Sequence, residues 1–257
     1  MNGLKLAMAV SMAALCFGGT AGAAVPAHSG TASAVRQVSG TPQAAPAVSE
    51  KDASVVEGGM TPDDTAAAAK ADEAAAARAA AAPLHIGAGT TILGPAEASQ
   101  DQMVRYIRMR NPQPQLNCTV EELVAAYYQE AGEEGVRPDV ALCQAIKETD
   151  CFGYGGDVLP RQNNYCGLGA TGGGVHGFSF MTPQRGVRAH IQHLLAYAST
   201  RLPKEGLLDP RYEVLRTKYP QFYGQIPYWT GLDGKWAVPG KHYGEDILDI
   251  WQEAKNM

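Results

Sequence analysis

The stretch AIKETDCFGYGGDVLPRQNNYCGLGATGGG, residues 145–174, joins the end of an apolar helical pattern to a glycine-rich loop. The apolar positions have the spacing of one buried helix face and are Leu142, Ala145, Ile146 and Thr149. Glu148 falls in the last turn, where the carbonyl end of the helix and partial burial both raise a carboxyl pKa. An acid with a raised pKa suits general-acid catalysis, although a solvated surface glutamate is the simpler interpretation.

The loop that follows carries side chains suited to binding a polar ligand. Asn163 and Asn164 offer amides that can hydrogen-bond to a substrate, and Tyr165 offers a face for stacking on a sugar. Each has a structural alternative, because Asn also stabilises tight turns and a tyrosine ring also fills a core. The glycines around them allow the backbone to approach a ligand closely.

Helix signals flank this stretch on both sides. Thr119 and Glu122 form a capping box that predicts a helix to about Ala131, and Pro138 opens the helix that carries Glu148. Two further helices are predicted, one beginning at Thr182-Pro183 and one over about Gly244–Lys255. The glycine-rich residues 153–181 contain short β-like pieces such as GFSFM. The pattern predicts a mainly α (α+β) domain with one small, irregular β region.

The N-terminus has the form of an export signal. Lys5 precedes an apolar run from Leu6 to about Gly19, and Ala21-Gly22-Ala23 is a small-residue cleavage site. Residues 1–23 are therefore predicted to be a signal peptide, and the apolar run is too short for a stable transmembrane helix.

Residues 24–83 form a low-complexity segment rich in alanine and proline, without an aromatic residue. Such a composition cannot bury enough apolar surface to offset the entropy of ordering. Its alanine-rich part, residues 61–82, has high helix propensity, so a semi-rigid helical tether and a disordered spacer both remain open. The folded, catalytic domain is assigned to residues 84–257.

Charge and cysteine content limit the function classes. The 26 acidic residues outnumber the 21 Lys and Arg, which is unlike a basic nucleic-acid-binding protein. Four cysteines remain after the predicted signal peptide: Cys118, Cys143, Cys151 and Cys166. In an exported chain an even number suggests two disulfides. Antiparallel packing of the two helices around Gly132–Gly135 would pair Cys118 with Cys151 and Cys143 with Cys166, while a local Cys143–Cys151 bridge remains an alternative.

The motifs together resemble a known enzyme family. The helix end at Glu148-Thr149, the Asn163-Asn164-Tyr165 loop and the later WAVPGKHY segment, residues 236–243, are similar to the glucosaminidase domain of glycoside hydrolase family 73. The resemblance covers roughly residues 136–253. It implies a lysozyme-like helical fold and hydrolysis of the β-1,4 bond between N-acetylglucosamine and N-acetylmuramic acid in peptidoglycan.

The resemblance also implies roles for individual residues. Glu148 matches the family's general acid, and Tyr243 matches its site tyrosine, which could steady developing positive charge or orient water. Asn163, Asn164 and Tyr165 match the loop near the substrate, and Trp236 is expected to pack under the site.

One departure from the family concerns the second carboxylate. Many relatives carry a second acid in the β region, but residues 180–182 here contain none, and Asp157 is the only acid between Asp150 and Glu205. A two-carboxylate glycosidase needs a partner at a defined separation. Either Asp157 takes that role or the substrate's own 2-acetamido group assists, and the second is favoured.

Two other functions stay open. A lytic transglycosylase also uses a single glutamate, but typically has Glu-Ser and a Gly-Leu-Met-Gln segment, where this chain has Glu148-Thr149 and YCGLGATG. A non-catalytic wall-binding module would not need the acid. His190 and His193 lie three residues apart on a predicted helix but lack a nearby acidic or cysteine ligand, so solvated or core-edge histidines are favoured over a metal site.

Cofactor, partner and location predictions follow from this assignment. No cofactor is expected. The partner is the glycan strand of peptidoglycan, with no nucleic acid and no membrane after signal cleavage. The chain is expected to be a monomer in the periplasm or secreted at a bacterial cell envelope.

Overall fold

The computed structural model describes residues 89–237 and 240–257, so the predicted signal peptide and alanine-rich segment lie outside the described residues. The described part is mainly helical with one small sheet, which confirms the predicted fold class. Its α-helices are α1 (Gln100–Arg110), α2 (Val120–Glu134), α3 (Pro138–Glu148), α4 (Pro183–Ala198), α5 (Tyr212–Lys218) and α6 (Tyr243–Lys255). Strands β1 (Ala170–Gly172) and β2 (Val175–His176) pair antiparallel as a hairpin.

Local signals fix where the predicted helices begin. Thr119 and Glu122 form the expected capping box at the start of α2, and Gly135 ends that helix in the left-handed conformation, with φ 69°. Thr182 caps α4 by accepting a 3.2 Å hydrogen bond from the Arg185 amide. These side chains satisfy backbone N–H groups that have no partner inside the helix.

Helix α3 is the centre of the domain. Every residue from Pro138 to Ile146 is buried, rather than the single stripe that the sequence predicted. The cause is tertiary, because α1, α2 and α6 all pack against this helix. Only its last turn reaches the surface, where Lys147 is partly exposed and Glu148 is exposed.

The β region is smaller than predicted, and GFSFM, residues 177–181, is not a strand. Two backbone hydrogen bonds hold that segment in place, from Phe178 N to Leu168 O at 2.9 Å and from Phe180 N to Gln162 O at 2.8 Å. The side chain of Phe180 packs in a small separate cluster of buried residues, with Cys166, Leu168 and Ala189. The segment therefore closes the glycine-rich loop without extending the sheet.

Two elements did not follow from the sequence pattern. Helix α1 precedes the first predicted helix, and α5 lies inside the long connection of residues 202–240, which also contains a 3₁₀ helix, Trp229–Leu232. The N-terminal residues 89–98 join the core, because Ile92 is fully buried and its amide donates to Pro227 O at 2.8 Å. Ile92 and the residues around it are therefore part of the folded domain.

The predicted disulfides are absent from the structure, in which all four cysteines of the described residues are free thiols. Cys143 packs in the main core around α3, whereas Cys166 packs in the separate small cluster. The two side chains therefore face different surroundings, and the expected Cys143–Cys166 bridge does not form. Cys118 and Cys151, the other expected pair, are both half-buried against the main core as thiols.

Candidate active site

Glu148 is the last residue of α3, where the helix leaves the core. Glu148 has exposed surface. The protein around its carboxyl nevertheless desolvates that group, and this desolvation raises the pKa of Glu148. The C-terminal position on α3 acts in the same direction, because the helix carbonyls disfavour a nearby anion. A hydrogen bond from Tyr243 and the Lys147 ammonium oppose the rise without cancelling it. An accessible carboxyl with a raised pKa can hold a proton and deliver it to a bound ligand.

Tyr243 is the direct partner of this acid. Its hydroxyl donates a hydrogen bond to Oε1 of Glu148, although the two residues are 95 positions apart in the chain. The ring is only 3% exposed, and burial followed by the nearby Glu148 raises the pKa of Tyr243 well above its ordinary value. The hydroxyl therefore keeps its proton and acts as a fixed donor to the carboxylate.

The start of α6 holds Tyr243 in this position. Gly244 lies so close to the 3₁₀ helix that an added Cβ would be 2.4 Å from Trp229 O. The Gly244 amide donates to Oδ1 of Asp233 at 2.7 Å, which ties the first turn of α6 to the preceding connection. Lys147 forms a second link between α3 and α6 through a 2.8 Å ion pair with Asp246.

A chain of buried, hydrogen-bonded side chains extends from Tyr243 into the core, and no pattern in the sequence indicated it. Gln144 donates to the Tyr243 hydroxyl at 2.8 Å, and its Oε1 lies 2.9 Å from Nε2 of His190. Nδ1 of His190 lies 2.9 Å from the hydroxyl of Tyr127. Gln144 precedes Glu148 by one helical turn, which is the signal that could have indicated a shared face.

The two asparagines of the predicted binding loop face inward instead of toward a ligand. Asn163 is 4% exposed, and its amide donates to Phe180 O at 2.8 Å and accepts from Asn117 at 2.8 Å. Asn164 is 1% exposed and is bonded through both ends of its amide to Leu168. Their polar atoms are therefore occupied in shaping the loop, and the prediction that they bind substrate directly is corrected.

Tyr165 also belongs to the core. It is 1% exposed, and its ring packs edge-to-face against Tyr127 at 6.4 Å and Phe152 at 6.2 Å between centroids. A buried ring cannot stack on a sugar, so its predicted binding role is corrected too. The part of the loop that borders the acid is Gly167, where an added Cβ would lie 3.8 Å from Oε2 of Glu148.

Asp157 is engaged with the β-hairpin. Its carboxylate accepts a 2.9 Å hydrogen bond from the Gly174 amide, and its backbone carbonyl pairs with Nδ1 of His176. These contacts give Asp157 the role of anchoring the turn between β1 and β2. Among the described contacts of Glu148, the hydroxyl of Tyr243 and not the carboxylate of Asp157 is the neighbour.

Trp236 packs against the aromatic face of α4. Its ring centroid lies 5.7 Å from His190, 5.0 Å from His193 and 5.7 Å from Tyr197. Trp236 therefore contacts His190, one member of the chain of buried side chains that leads to Tyr243. His193, for which a solvated or core-edge position was predicted, is buried, and its Nδ1 lies 2.8 Å from Oδ2 of Asp209.

The residues described include no group of three or more His, Cys, Asp or Glu side chains that could hold a metal ion. The same residues contain no helix that is both long and apolar enough to cross a membrane.

An accessible acid at the end of a central helix, with a hydrogen bond from a buried tyrosine, is an arrangement suited to protonating the leaving oxygen of a glycosidic bond. Together with the mainly helical domain, it is consistent with the lysozyme-like class of glycosidases.

Comparison with known proteins identifies the family. Residues 124–256 match the Glucosaminidase family, described as mannosyl-glycoprotein endo-beta-N-acetylglucosaminidase. The chain belongs to this family, glycoside hydrolase family 73, and is therefore a glycoside hydrolase. The family assignment supports endo-β-N-acetylglucosaminidase activity on peptidoglycan in general, and a location at the cell envelope or outside the cell.

An uncharacterized protein of Borreliella burgdorferi is 34% identical over 153 residues, which are 60% of this chain and 71% of that protein. No solved structure matches the chain significantly.

Proposed function

We propose that this protein is an exported endo-β-N-acetylglucosaminidase. It cleaves the β-1,4 bond between N-acetylglucosamine and N-acetylmuramic acid in peptidoglycan, with Glu148 as the general acid. The observation that carries the proposal is the contact between Tyr243 and the accessible Glu148 carboxyl, whose pKa is raised by burial. The raised pKa favours the protonated form that the first step requires.

In the first step Glu148 gives its proton to the leaving glycosidic oxygen and becomes a carboxylate. The hydrogen bond from Tyr243 then stabilises the new negative charge, because a hydrogen bond to an ionised acceptor is stronger than one to a neutral acceptor. The substrate's 2-acetamido group supplies the intramolecular nucleophile. Asp157 is the alternative second group, but its carboxylate is bonded to the hairpin at Gly174.

Water completes the reaction after the leaving chain has departed. With Glu148 ionised, its carboxylate can take a proton from the incoming water and so regenerate the acid. The new end is a reducing N-acetylglucosamine. The glycan strand is the only partner needed, and the chain acts as a monomer in the periplasm or secreted at the cell envelope.

Replacement of the acid tests the proposal. Glu148→Gln is nearly isosteric and keeps an acceptor for Tyr243, but it cannot donate the catalytic proton. General-acid catalysis contributes roughly 10²–10⁴-fold, so we expect wall digestion to fall by at least about 100-fold with the fold intact. Glu121→Gln, at an exposed ion pair with Arg108, is the matched control and should keep its activity.

The released fragments identify the bond cleaved. Mass spectrometry of muropeptides should find reducing N-acetylglucosamine ends. Anhydro sugars would instead identify a lytic transglycosylase, and reducing N-acetylmuramic acid would identify a muramidase. A Glu148→Gln protein with more than about a tenth of the original activity would contradict the assigned acid.

A further inference from the structure

The four side chains behind Glu148 form one continuous line of hydrogen bonds. It runs from Tyr127 on α2 through His190 on α4 and Gln144 on α3 to Tyr243 on α6, and then to the acid. Tyr127 and both polar links, His190 and Gln144, are 0% exposed. Each buried polar side chain of the line has its hydrogen-bond partners within the line, and the line connects four helices to the acid.

The direction of each bond follows from the groups involved. Tyr243 has one hydroxyl proton and donates it to Glu148, so its oxygen must accept from the Gln144 amide nitrogen. The other end of that amide is then an acceptor, and Nε2 of His190 must carry a proton to donate to it. Nδ1 is left bare and accepts from the Tyr127 hydroxyl.

His190 is held neutral in this arrangement. Burial lowers the pKa of His190 to about 3, and the second contribution is repulsion from His193 on the same helix. The other groups that face His190 are Tyr127, Gln144 and the ring of Trp236. The ring therefore keeps one tautomer across the pH range in which the enzyme would act.

We propose that Gln144, His190 and Tyr127 are positioning residues that set the acid strength of Glu148 by polarising the hydroxyl of Tyr243. This inference rests on the proposed function, in which Glu148 is the general acid. All donors in the line point the same way, toward Glu148, so each bond strengthens the next. The strengthened hydrogen bond from Tyr243 favours the carboxylate that remains after proton transfer, and so makes Glu148 a stronger acid than desolvation of its carboxyl alone would allow.

The groups facing Glu148 itself come from three elements. Tyr243 approaches from α6, Lys147 lies beside it on α3, and the loop contributes Gly167 and the buried Cys166. The Cys166 thiol has a raised pKa because of burial and the nearby acid, and so stays neutral. Lys147 is already paired with Asp246. The hydroxyl of Tyr243 is thus the neighbour of Glu148 whose hydrogen-bond strength the buried line can change.

The experiment is a titration of Glu148 in the full chain, by NMR of ¹³C-labelled glutamate carboxyls. The Glu148 signal is assigned by its disappearance in Glu148→Gln. Gln144→Leu and His190→Leu break the line, and each should raise the Glu148 pKa by about half a unit, or about threefold in proton affinity. The alkaline limb of kcat/KM should move to higher pH by the same amount, with a lower plateau rate.

Two milder variants guard against loss of the fold. His190→Gln keeps a donor toward Gln144 and should restore most of the wild-type pKa. Tyr127→Phe removes one hydroxyl at the far end and should give the smallest upward shift. Its matched control is Tyr212→Phe, since Tyr212 is 1% exposed and Tyr127 is 0% exposed. The hydroxyl of Tyr212 bonds to Arg201 O and to the Tyr223 hydroxyl instead of to the line. This control should leave the Glu148 pKa unchanged.

A purely structural role would give a different result. Gln144→Leu and His190→Leu would then lower the melting temperature while the Glu148 pKa and the pH limb stayed at the wild-type values, and this would overturn the inference. An equal shift in Tyr212→Phe would overturn it too. These results are independent of the products released from peptidoglycan, so a failure of the proposed function would be seen separately in the mass spectra.

Discussion

At the residue scale, Glu148 combines two properties that oppose each other. Its carboxyl lies at the unfavourable end of α3 and has its pKa raised by burial, yet the site requires it to become a carboxylate during each cycle. The hydroxyl of Tyr243 reconciles the two by donating to the anion. Catalytic acids are commonly tuned in this way, between desolvation and one specific hydrogen bond.

This tuning has a consequence for stability. Because the folded-state pKa of Glu148 is raised, the folded protein binds its proton more tightly than the unfolded chain does. The contribution of Glu148 to the free energy of unfolding is fully present below its pKa in the unfolded chain. It is lost as the pH rises through its pKa in the folded protein. We expect Glu148→Gln to raise the melting temperature at pH 7, with the difference from wild type shrinking as the pH is lowered below the unfolded pKa.

Thermal denaturation of both proteins across pH 4 to 8 would check this expectation. Glu121→Gln serves again as the control. The pKa of Glu121 is lowered by its hydrogen bond to Arg108, so its loss should not stabilise the protein at neutral pH. A Glu148→Gln protein that melted below wild type at pH 7 would contradict a raised folded-state pKa.

At the element scale, the site depends on how closely the start of α6 approaches the 3₁₀ helix. An added Cβ at Gly244 would lie 2.4 Å from Trp229 O, so Gly244→Ala should force the first turn of α6 outward. Overpacking of this kind costs roughly 1–3 kcal/mol. Because Tyr243 is the adjacent residue, the displacement should also weaken its contact with Glu148 and lower the hydrolysis rate.

Gly132 supplies the matched control for this change. It lies within α2, and a Cβ there meets nothing within 4 Å. Gly132→Ala should therefore stabilise the helix by about 0.5–1 kcal/mol and leave hydrolysis unchanged. Urea unfolding and a wall-digestion assay on both variants would separate a local effect at α6 from a general effect of adding a methyl group.

At the scale of the whole molecule, residues 92–98 connect the N-terminal part of the described chain to the core. Ile92 is fully buried, and the amides of Glu97 and Ala98 donate to the buried carboxylate of Asp139 at 2.8 and 2.9 Å. We expect a protein beginning at Leu84 to melt as cooperatively as one beginning at Ala24, and to digest soluble peptidoglycan fragments at a similar rate.

A protein beginning at Ser99 should behave differently, because it lacks Ile92 and both amide donors to Asp139. Loss of one buried aliphatic side chain and of two hydrogen bonds to a charged group amounts to about 4.5–9 kcal/mol, which is comparable to the whole stability of a small domain. Calorimetry of the two shortened proteins would check the boundary. Equal melting of both would show that residues 89–98 do not belong to the core.

The sequence alone predicted most of the helical framework. The starts of α2, α3 and α4 depend on capping side chains and prolines within a few residues, at Thr119, Pro138 and Thr182. The raised pKa of Glu148 was also predicted, from partial burial beside the apolar helix face and from its place at the helix end. Such features are local, because the partners that satisfy a helix terminus lie next to it in the chain. Tyr243 came from family resemblance, since no local pattern connects it to Glu148.

Only the tertiary structure decided what faces the acid. Asn163 and Asn164 could have served a ligand or a turn, and the packing of α4 and residues 178–180 against the loop turned their amides inward. Gln144 and His190 became links to Tyr243 because α3, α4 and α6 meet, across separations of 46 and 99 residues. The identity of a polar residue does not reveal whether its side chain is buried or exposed in the fold. Its role is set by which distant partner the fold brings within hydrogen-bonding distance, and a periodic pattern in one sequence does not contain that information.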